Sequence, residues 1–221
     1  MRTKVLLCAA ALAASLASSM AQSNVYSLNV VGYYNITLGA GQKVMIANQL
    51  NTTNNTIGSL LAPPMVSNGD HLFKYSGGFV GYAYSTDDGQ WDPDPNATMN
   101  PGESAFYVAA QATTLTFVGE VMQGSLTNTL PINTKVLRSS IVPQSGGISS
   151  VLGVPFDNGD HLFVYNPAQN SGPYVAYAYS TDDGQWDPNE PIINVGQGFF
   201  YVKSPTANPA NANWVRNFTV Q

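Results

Sequence analysis

A stretch of twelve residues, YAYSTDDGQWDP, occurs twice in this chain, at residues 82–93 and again at residues 177–188. A second identical stretch, NGDHLF, precedes each copy, at residues 68–73 and 158–163. Shorter matches continue in the same order along the rest of the chain. Collinear self-similarity at a spacing of roughly 90 residues is the signature of an internal repeat. The sequence therefore predicts a tandem duplication.

Each copy has the composition of a β-protein. Short runs rich in Val, Ile, Thr, Tyr and Phe are broken by Gly, Pro, Asn and Asp, which is typical of strands and turns. In the first copy we predict strands at residues 43–50, 71–75, 79–85, 104–109 and 115–122, and a helix of one or two turns at residues 54–61. Asp88-Gly89 tolerates the left-handed backbone of a hairpin turn. The predicted fold is all-β, with two tandem homologous units, each a small barrel or sandwich of five or six strands with at most one short helix.

The N-terminus has the pattern of a secretory signal. Arg2 and Lys4 precede an apolar run at residues 5–16, and small residues end at Ala21, where signal peptidase would cleave. The run is too short to cross a membrane, which takes about 20 apolar residues. The predicted organisation is a signal peptide at residues 1–21, a first β unit at residues 22–124 and a second β unit at residues 125–221.

Cleavage after Ala21 changes the chemistry that the chain offers. It removes Cys8, the one cysteine of the sequence, so the mature chain forms no disulfide of its own and has no thiol nucleophile. It also removes two of the eight basic residues and leaves six against 13 acidic ones, a net charge of −7. Nucleic acids and anionic membrane surfaces are bound through Lys and Arg, so this balance disfavours both as partners.

Acidic residues concentrate around the duplicated stretch. Five of the 13 lie within residues 70–94 and six within residues 157–190. Together with nearby aromatic rings they predict a paired recognition surface, whose candidate residues are Tyr84, Asp87, Asp88, Trp91, Tyr179, Asp182, Asp183 and Trp186. The alternative is structural, with Trp91 and Trp186 in the core, because Trp is usually highly buried, and with the aspartates exposed at the turns.

Metal binding finds little support in the spacing of possible ligands. Asp92 and Asp94 alternate as in calcium loops, but the stretch lacks both the glycine and the number of oxygens that calcium requires. We expect instead that Asp92 and Asp187 hydrogen-bond the backbone of their turns. His71 and His161 each follow an aspartate, and we expect each to bond that neighbour, since no further metal ligands lie near them in the sequence.

Catalysis is equally weakly indicated. Asp87, Asp88 and Glu103 are conceivable partners in glycoside hydrolysis, but nothing in the sequence fixes the carboxylate separation that defines that mechanism. The sequence contains no Ser-His-Asp set, phosphate-binding glycine loop or HExxH motif. We therefore predict a protein that is not an enzyme and that needs no cofactor.

Several short segments carry a resemblance. They are Val30-Val31-Gly32-Tyr33, Leu38, residues 43–50, Asn68-Gly69-Asp70, Trp91 and residues 101–108. From Val25 to the C-terminus the chain resembles an uncharacterised family of exported, tandem-repeat, β-rich bacterial proteins with the pattern VVGY…TL…IANxL…W…PGEGFFV. The resemblance implies export and a β fold, and no assigned activity, cofactor or substrate. The chain departs from the usual wording at Gln49-Leu50, where a proline is common, and at Ser104-Ala105, where Gly-Phe is common. Only the second copy keeps Gly-Phe, at Gly198-Phe199.

These observations favour an exported, non-catalytic protein with a structural or interaction role at the cell surface, in the envelope or in the extracellular matrix. The alternative is a carbohydrate-binding module that uses exposed aromatics and aspartates of the duplicated hairpins. A polysaccharide-active enzyme is the third class. The partner would be a glycan or another envelope or extracellular protein. Because no Pro- or Ser-rich linker separates the copies, we expect them to pack side by side through an apolar interface.

Overall fold

The computed structural model describes residues 30–167 and 173–220, so the predicted signal peptide lies outside the described residues. The first half, residues 30–123, contains β1 (Val31–Leu38), β2 (Lys43–Ala47), α1 (Ile57–Leu60), β3 (His71–Tyr75), β4 (Phe79–Ser85), β5 (Gln90–Asp92), β6 (Ser104–Val108) and β7 (Thr113–Glu120). The second half, residues 124–220, contains β8 (Gly124–Thr129), β9 (Lys135–Arg138), β10 (Gly146–Gly147), β11 (His161–Tyr165), β12 (Tyr174–Ser180), β13 (Gln185–Asp187), β14 (Ile192–Ile193), β15 (Phe199–Val202), a 3-10 helix (Pro209–Ala212) and β16 (Asn213–Phe218).

The strands pair in corresponding ways in the two halves. A five-stranded antiparallel sheet of order β2-β6-β3-β4-β5 in the first half matches the order β9-β15-β11-β12-β13 in the second. The first and last strands of each half form a separate pair, β1 with β7 and β8 with β16, and β10 pairs with β14. The all-β prediction is confirmed, and none of these sheets closes on itself. The described residues form seven and nine strands per half, more than the five or six predicted.

Each five-stranded sheet buries side chains on both of its faces, as the central strands show. In β6, Ala105 and Tyr107 belong to the core of the first half, whereas Phe106 points to the opposite side. In β15, Tyr201 lies in the core of the second half and Phe200 on the opposite side. Strands buried on both faces carry continuous apolar runs rather than a polar alternation, which explains the sequence of β6 and β15.

The outward sides of the two sheets meet in an apolar contact that we call the interface cluster. Its buried members are Met45, Phe106, Leu137 and Phe200, and partly buried Phe73, Tyr75, Phe163 and Tyr165 pack around them. Backbone contacts join the halves beside it: Ala47 N donates to Gly196 O and Ser139 N donates to Gly102 O, both at 2.9 Å. The two halves are therefore held together by apolar packing and by main-chain hydrogen bonds.

Candidate functional site

The duplicated stretch forms a hairpin in each half, with the same register. Tyr84 lies opposite Trp91 in the first hairpin, and Tyr179 lies opposite Trp186 in the second. Gly89, like its counterpart Gly184, has a φ of 70°, the left-handed conformation that glycine adopts without strain. The predicted turn is therefore present in both hairpins.

The aspartates of the turns point to solvent. Asp87 and Asp88 are exposed, and so are Asp182 and Asp183, in agreement with the structural alternative. The turn of the first hairpin is held by Ser85, whose Oγ accepts from the Asp87 amide at 3.2 Å. The corresponding bond in the second hairpin, from the Asp182 amide to the Ser180 Oγ, is also 3.2 Å long.

The predicted role of Asp92 and Asp187 in these turns is wrong. In β5 and β13 the middle tryptophan faces the core, so the aspartate that follows it points outward. Both aspartates are exposed, and no turn amide bonds to either side chain among the described residues. One amide of each turn, that of Asp87 or Asp182, is bonded by a serine hydroxyl instead.

The two tryptophans of the hairpins lie in the core. Trp91 is 0% exposed and Trp186 is 6% exposed. The Nε1 of Trp91 donates to the Leu61 carbonyl at 2.8 Å, and the Nε1 of Trp186 donates to the Ser149 hydroxyl at 2.9 Å. The indole of Trp91 is thus closed to a sugar ring, and Trp186 keeps only a small exposed area. The structure corrects the part of the carbohydrate hypothesis that requires exposed indoles.

A cleft lies behind each hairpin, and the two clefts differ in size. The second cleft has a volume of about 540 Å³ and the first about 300 Å³. Tyr84, Gln90 and Trp91 line the first cleft, and their counterparts line the second. The lining of the second cleft consists of Ser149, Ser150, Phe156, Tyr179, Gly184, Gln185, Trp186, Pro188, Asn189 and Glu190. Four of the eight predicted site residues therefore line a cleft, and the four turn aspartates do not.

Aromatic rings are more accessible in the second cleft. Tyr179 is half-buried and contacts half-buried Phe156, with ring centroids 4.1 Å apart. In the first half the counterpart Tyr84 is only 4% exposed, and the buried aliphatic Val66 stands at the position of Phe156. An aromatic pair with accessible surface is therefore present behind the second hairpin and not behind the first.

A carboxylate also distinguishes the second cleft. Glu190 Oε1 accepts from the amides of Ser149 and Ser150, both at 2.7 Å, and Oε2 accepts from the Ser150 hydroxyl at 2.8 Å. Burial alone would raise the pKa of Glu190, but these hydrogen bonds outweigh it and hold the pKa below its usual value. In the first half a main-chain carbonyl, that of Pro95, accepts from the corresponding Gly58 amide at 2.9 Å.

A buried aspartate occupies the same position in both NGDHLF stretches. Asp70 is 0% exposed and accepts from the amides of Ser67 and Ala110, both at 2.7 Å, and from the Tyr107 hydroxyl. Burial, followed by the hydrogen bond to Asp70, raises the pKa of Tyr107. The carboxylate thereby joins the start of β3 to the end of β6.

Asp160 makes the same bonds in the second half. It is 0% exposed and accepts from the amides of Asp157 and Ser204 at 2.8 and 2.7 Å and from the Tyr201 hydroxyl at 2.7 Å. Burial and then the charge of Asp160 raise the pKa of Tyr201. The carboxylate again joins the start of one strand, β11, to the end of another, β15.

The histidines are not bonded to these aspartates, so that prediction is wrong. His71 and His161 are exposed and stack on Phe73 and Phe163, with ring centroids 6.1 and 6.3 Å apart. Neighbours in a strand point to opposite faces of the sheet, so an inward aspartate places the following histidine outward.

A buried lysine occurs beside Asp160 and has no counterpart in the first half. Lys203 is 0% exposed, and its Nζ lies 2.7 Å from Asp160 Oδ2, 2.9 Å from Asp157 Oδ2 and 3.0 Å from the Pro155 carbonyl oxygen. The first half has Ala109 and Ser67 at the positions of Lys203 and Asp157. Burial alone would raise the pKa of Asp157, but hydrogen bonds from Lys203 and other donors lower it.

Sequence reasoning missed Glu190, Phe156 and Lys203. Glu190 binds serines about 40 residues away in the chain, and Lys203 lies 43 residues from the aspartate that it contacts. Aligning the two copies residue by residue could have identified them, because all three differ in type from their counterparts in the first copy.

Within residues 30–167 and 173–220, no three His, Cys, Asp or Glu side chains are grouped so that they could hold a metal ion. Over the same residues, no helix combines the length and the apolar character that crossing a bilayer demands.

Comparison with known proteins gives no match: no family model, no curated protein and no solved structure matches this chain. The resemblance of its segments to an exported bacterial family therefore stays a prediction.

Proposed function

We propose that this is an exported, non-catalytic protein that acts by interaction, and that the second cleft is its recognition site for a neutral saccharide. The scaffold in this proposal is a pair of homologous β units whose five-stranded sheets pack against each other. The observation that carries the proposal is the accessible aromatic pair of Phe156 and Tyr179 beside a polar wall in a cleft of about 540 Å³. Small-molecule sites have volumes of roughly 300–1,000 Å³ and combine aromatic walls with a few polar groups.

The chemistry of the lining favours a sugar. A sugar ring offers C–H faces that pack on aromatic rings and hydroxyls that both donate and accept hydrogen bonds. Gln185 and Asn189 carry amides that donate and accept, and the Glu190 carboxylate accepts. A negative charge in the cleft, in a chain with more acidic than basic residues, disfavours an anionic ligand.

The same lining argues against glycoside hydrolysis. That reaction needs two carboxyl groups on either side of the scissile bond, and Glu190 is the one carboxylate among the described residues that line the second cleft. Its Oε1 accepts from two amides, and its Oε2 accepts from the Ser150 hydroxyl and keeps one acceptor position. Recognition without catalysis is therefore the better proposal. Export rests on the N-terminal pattern, and it would place the protein in the periplasm, at the cell surface or outside the cell.

A glycan array on the wild type, with and without calcium, tests this function. The matched variants are Gln185→Ala and Gln90→Ala, because both glutamines are exposed and line equivalent clefts. Loss of one hydrogen bond, about 1 kcal/mol, should weaken a neutral-glycan signal several-fold for Gln185→Ala and leave it unchanged for Gln90→Ala. The Asp88→Ala/Asp183→Ala double variant should bind like the wild type.

Two results would overturn the saccharide proposal. One is the absence of any glycan response in the wild type, which would leave a structural role or an interaction with another protein. The other is a signal that depends on Asp88 and Asp183 and not on Gln185, which would place recognition at the turns.

A further inference from the structure

We propose that Lys203 and Asp157 condense to form an intramolecular amide bond, a covalent cross-link between the end of β15 and the loop before β11. The inference rests on a cluster in the second half, in which the fully buried Lys203 amine contacts one buried carboxylate, Asp160, and one half-buried carboxylate, Asp157, and it is independent of the cleft. The lysine nitrogen is already next to the carboxyl group, since Lys203 Nζ lies 2.9 Å from Asp157 Oδ2. That oxygen is bonded to the carboxyl carbon that the nitrogen would attack.

The scaffold does not require this lysine. The first half builds the same aspartate network around Asp70 with Ser67 and Ala109 in place of Asp157 and Lys203. Burying the Lys203 ammonium group with the Asp160 carboxylate is costly, and apolar replacements of buried ion pairs are often neutral or stabilising. The second half thus carries a reactive pair that its fold does not need.

The surroundings assign different roles to the two carboxylates. Asp160 accepts hydrogen bonds from two amides and the Tyr201 hydroxyl, as Asp70 does in the first half. Its carboxyl group therefore does not form the amide bond and serves as the proton carrier. Asp157 is the electrophile. Its Oδ1 accepts from Asn211 Nδ2 at 3.0 Å, and the Asn208 amide also bonds this carboxylate. Such donors stabilise the negative oxygen of a tetrahedral intermediate.

The condensation balances without any co-reactant. A proton passes from the Lys203 ammonium to Asp157 Oδ2, which leaves a neutral amine and a carboxylic acid. The nitrogen lone pair attacks the carboxyl carbon, and Asp160 takes a proton from that nitrogen and delivers it to the Oδ2 hydroxyl. This group leaves as water, and the carbonyl re-forms. The ion pair thus becomes one amide and one water molecule, and Asp160 is unchanged.

Position and burial both favour the product. Holding two reactants at contact distance replaces a bimolecular encounter with an intramolecular step, and exclusion of water opposes the reverse hydrolysis. Lys203 is fully buried. In a mature chain that the sequence predicts to lack cysteine, the bond would close a long loop as a disulfide does, and it would constrain the unfolded state in the same way.

Mass spectrometry of the fully unfolded protein tests the bond. The mature wild type is expected to be lighter than its mature sequence by one water molecule, and proteolysis is expected to yield one branched peptide that joins the segments around residues 157 and 203. The control is the double variant Asp157→Ser/Lys203→Ala, which copies the first half and should have its full sequence mass. It retains Asp88-Gly89 and Asp183-Gly184, so any water lost by cyclisation at those pairs would persist in it.

A second variant identifies the electrophile. Asp157→Asn keeps the shape of the site, and attack on its amide carbon would release ammonia instead of water, so the mass loss should change accordingly. Three results would overturn the proposal: a wild type at full sequence mass without a branched peptide, a water loss that persists in the double variant, or a branched peptide that joins Lys203 to Asp160.

Discussion

The two halves of this protein share a buried aspartate with the same hydrogen bonds, and they differ in the residues around it. Asp70 and Asp160 are both fully buried, and each accepts hydrogen bonds from two backbone amides and one tyrosine hydroxyl. The second half adds Lys203 and Asp157 where the first has Ala109 and Ser67. The shared aspartate is therefore the part of the network that the β fold needs, and the added ion pair is a separate property of the second half.

The clefts behind the two hairpins also combine shared positions with residues that differ between the halves. Behind the first hairpin, Tyr84 is buried and the cleft is small, whereas behind the second hairpin Tyr179 is half-buried and the cleft is larger. The identical twelve residues contribute equivalent positions to both. The difference comes from Phe156 and Glu190, which lie outside the twelve-residue stretch. The duplicated stretch therefore supplies the scaffold, and its surroundings supply the site.

The largest expected effect comes from removing the shared aspartates. Asp70→Ala leaves the buried Tyr107 hydroxyl and two half-buried amides without an acceptor and should lower the free energy of unfolding by about 3–5 kcal/mol. Asp160→Ala should cost at least as much, because it also removes a partner of Lys203. Urea unfolding of both variants measures this, with exposed Asp92→Ala as a control that changes little. A loss below about 1 kcal/mol for Asp70→Ala would contradict the proposed scaffold role.

The tryptophans sharpen the comparison between the hairpins. Truncation of a buried Trp to Ala costs about 3–5 kcal/mol, and we expect Trp91→Ala to be the more severe of the two. It leaves the buried Leu61 carbonyl without a donor, whereas Trp186 donates to a serine hydroxyl at the cleft, where water can replace it. Thermal or urea unfolding ranks the variants. If Trp186→Ala is clearly the less stable, the second cleft is not as accessible as described.

Alkaline pH should weaken the fold through its buried tyrosines. The pKa of Tyr201 is raised by burial and by Asp160, so its stabilising effect is fully present below the unfolded-state pKa of about 10. Above that pH Tyr201 ionises in the unfolded chain first, and this one residue lowers stability by about 1.4 kcal/mol per pH unit. Tyr201→Phe should flatten this decline, as followed by urea unfolding between about pH 9 and 11. An unchanged slope would show that Tyr201 ionises in the folded protein.

The smallest effect is expected at the acidic turns. Asp88 and Asp183 are exposed, and substitutions at such positions usually change stability by less than about 0.5 kcal/mol. Asp88→Ala and Asp183→Ala should therefore unfold at nearly wild-type urea concentrations. A loss above about 1.5 kcal/mol in either variant would show that the turn carboxylates hold the hairpin.

Local patterns in the sequence predicted the strands with a clear amphipathic or aromatic signal. The bounds of β3 and β4 agree with the prediction, because alternating side chains lie between turn residues at both ends. β10 and β14 were not predicted, because pairs of two residues have no periodicity to detect. The long-range contacts of Asp70 and Glu190 could not be predicted either, since these partners lie 37 to 41 residues away and only the tertiary fold brings them together.

The central claim is that the two halves share one scaffold and that only the second cleft recognises a ligand. Two-dimensional ¹H–¹⁵N NMR with the neutral oligosaccharide that gives the strongest array signal tests it most directly. The account predicts shifts of the Trp186 indole N–H and of the Ser149 and Ser150 amides, while the Trp91 indole N–H and the Gly58 amide stay in place. Equal shifts in both clefts, or shifts confined to the turn aspartates, would contradict it.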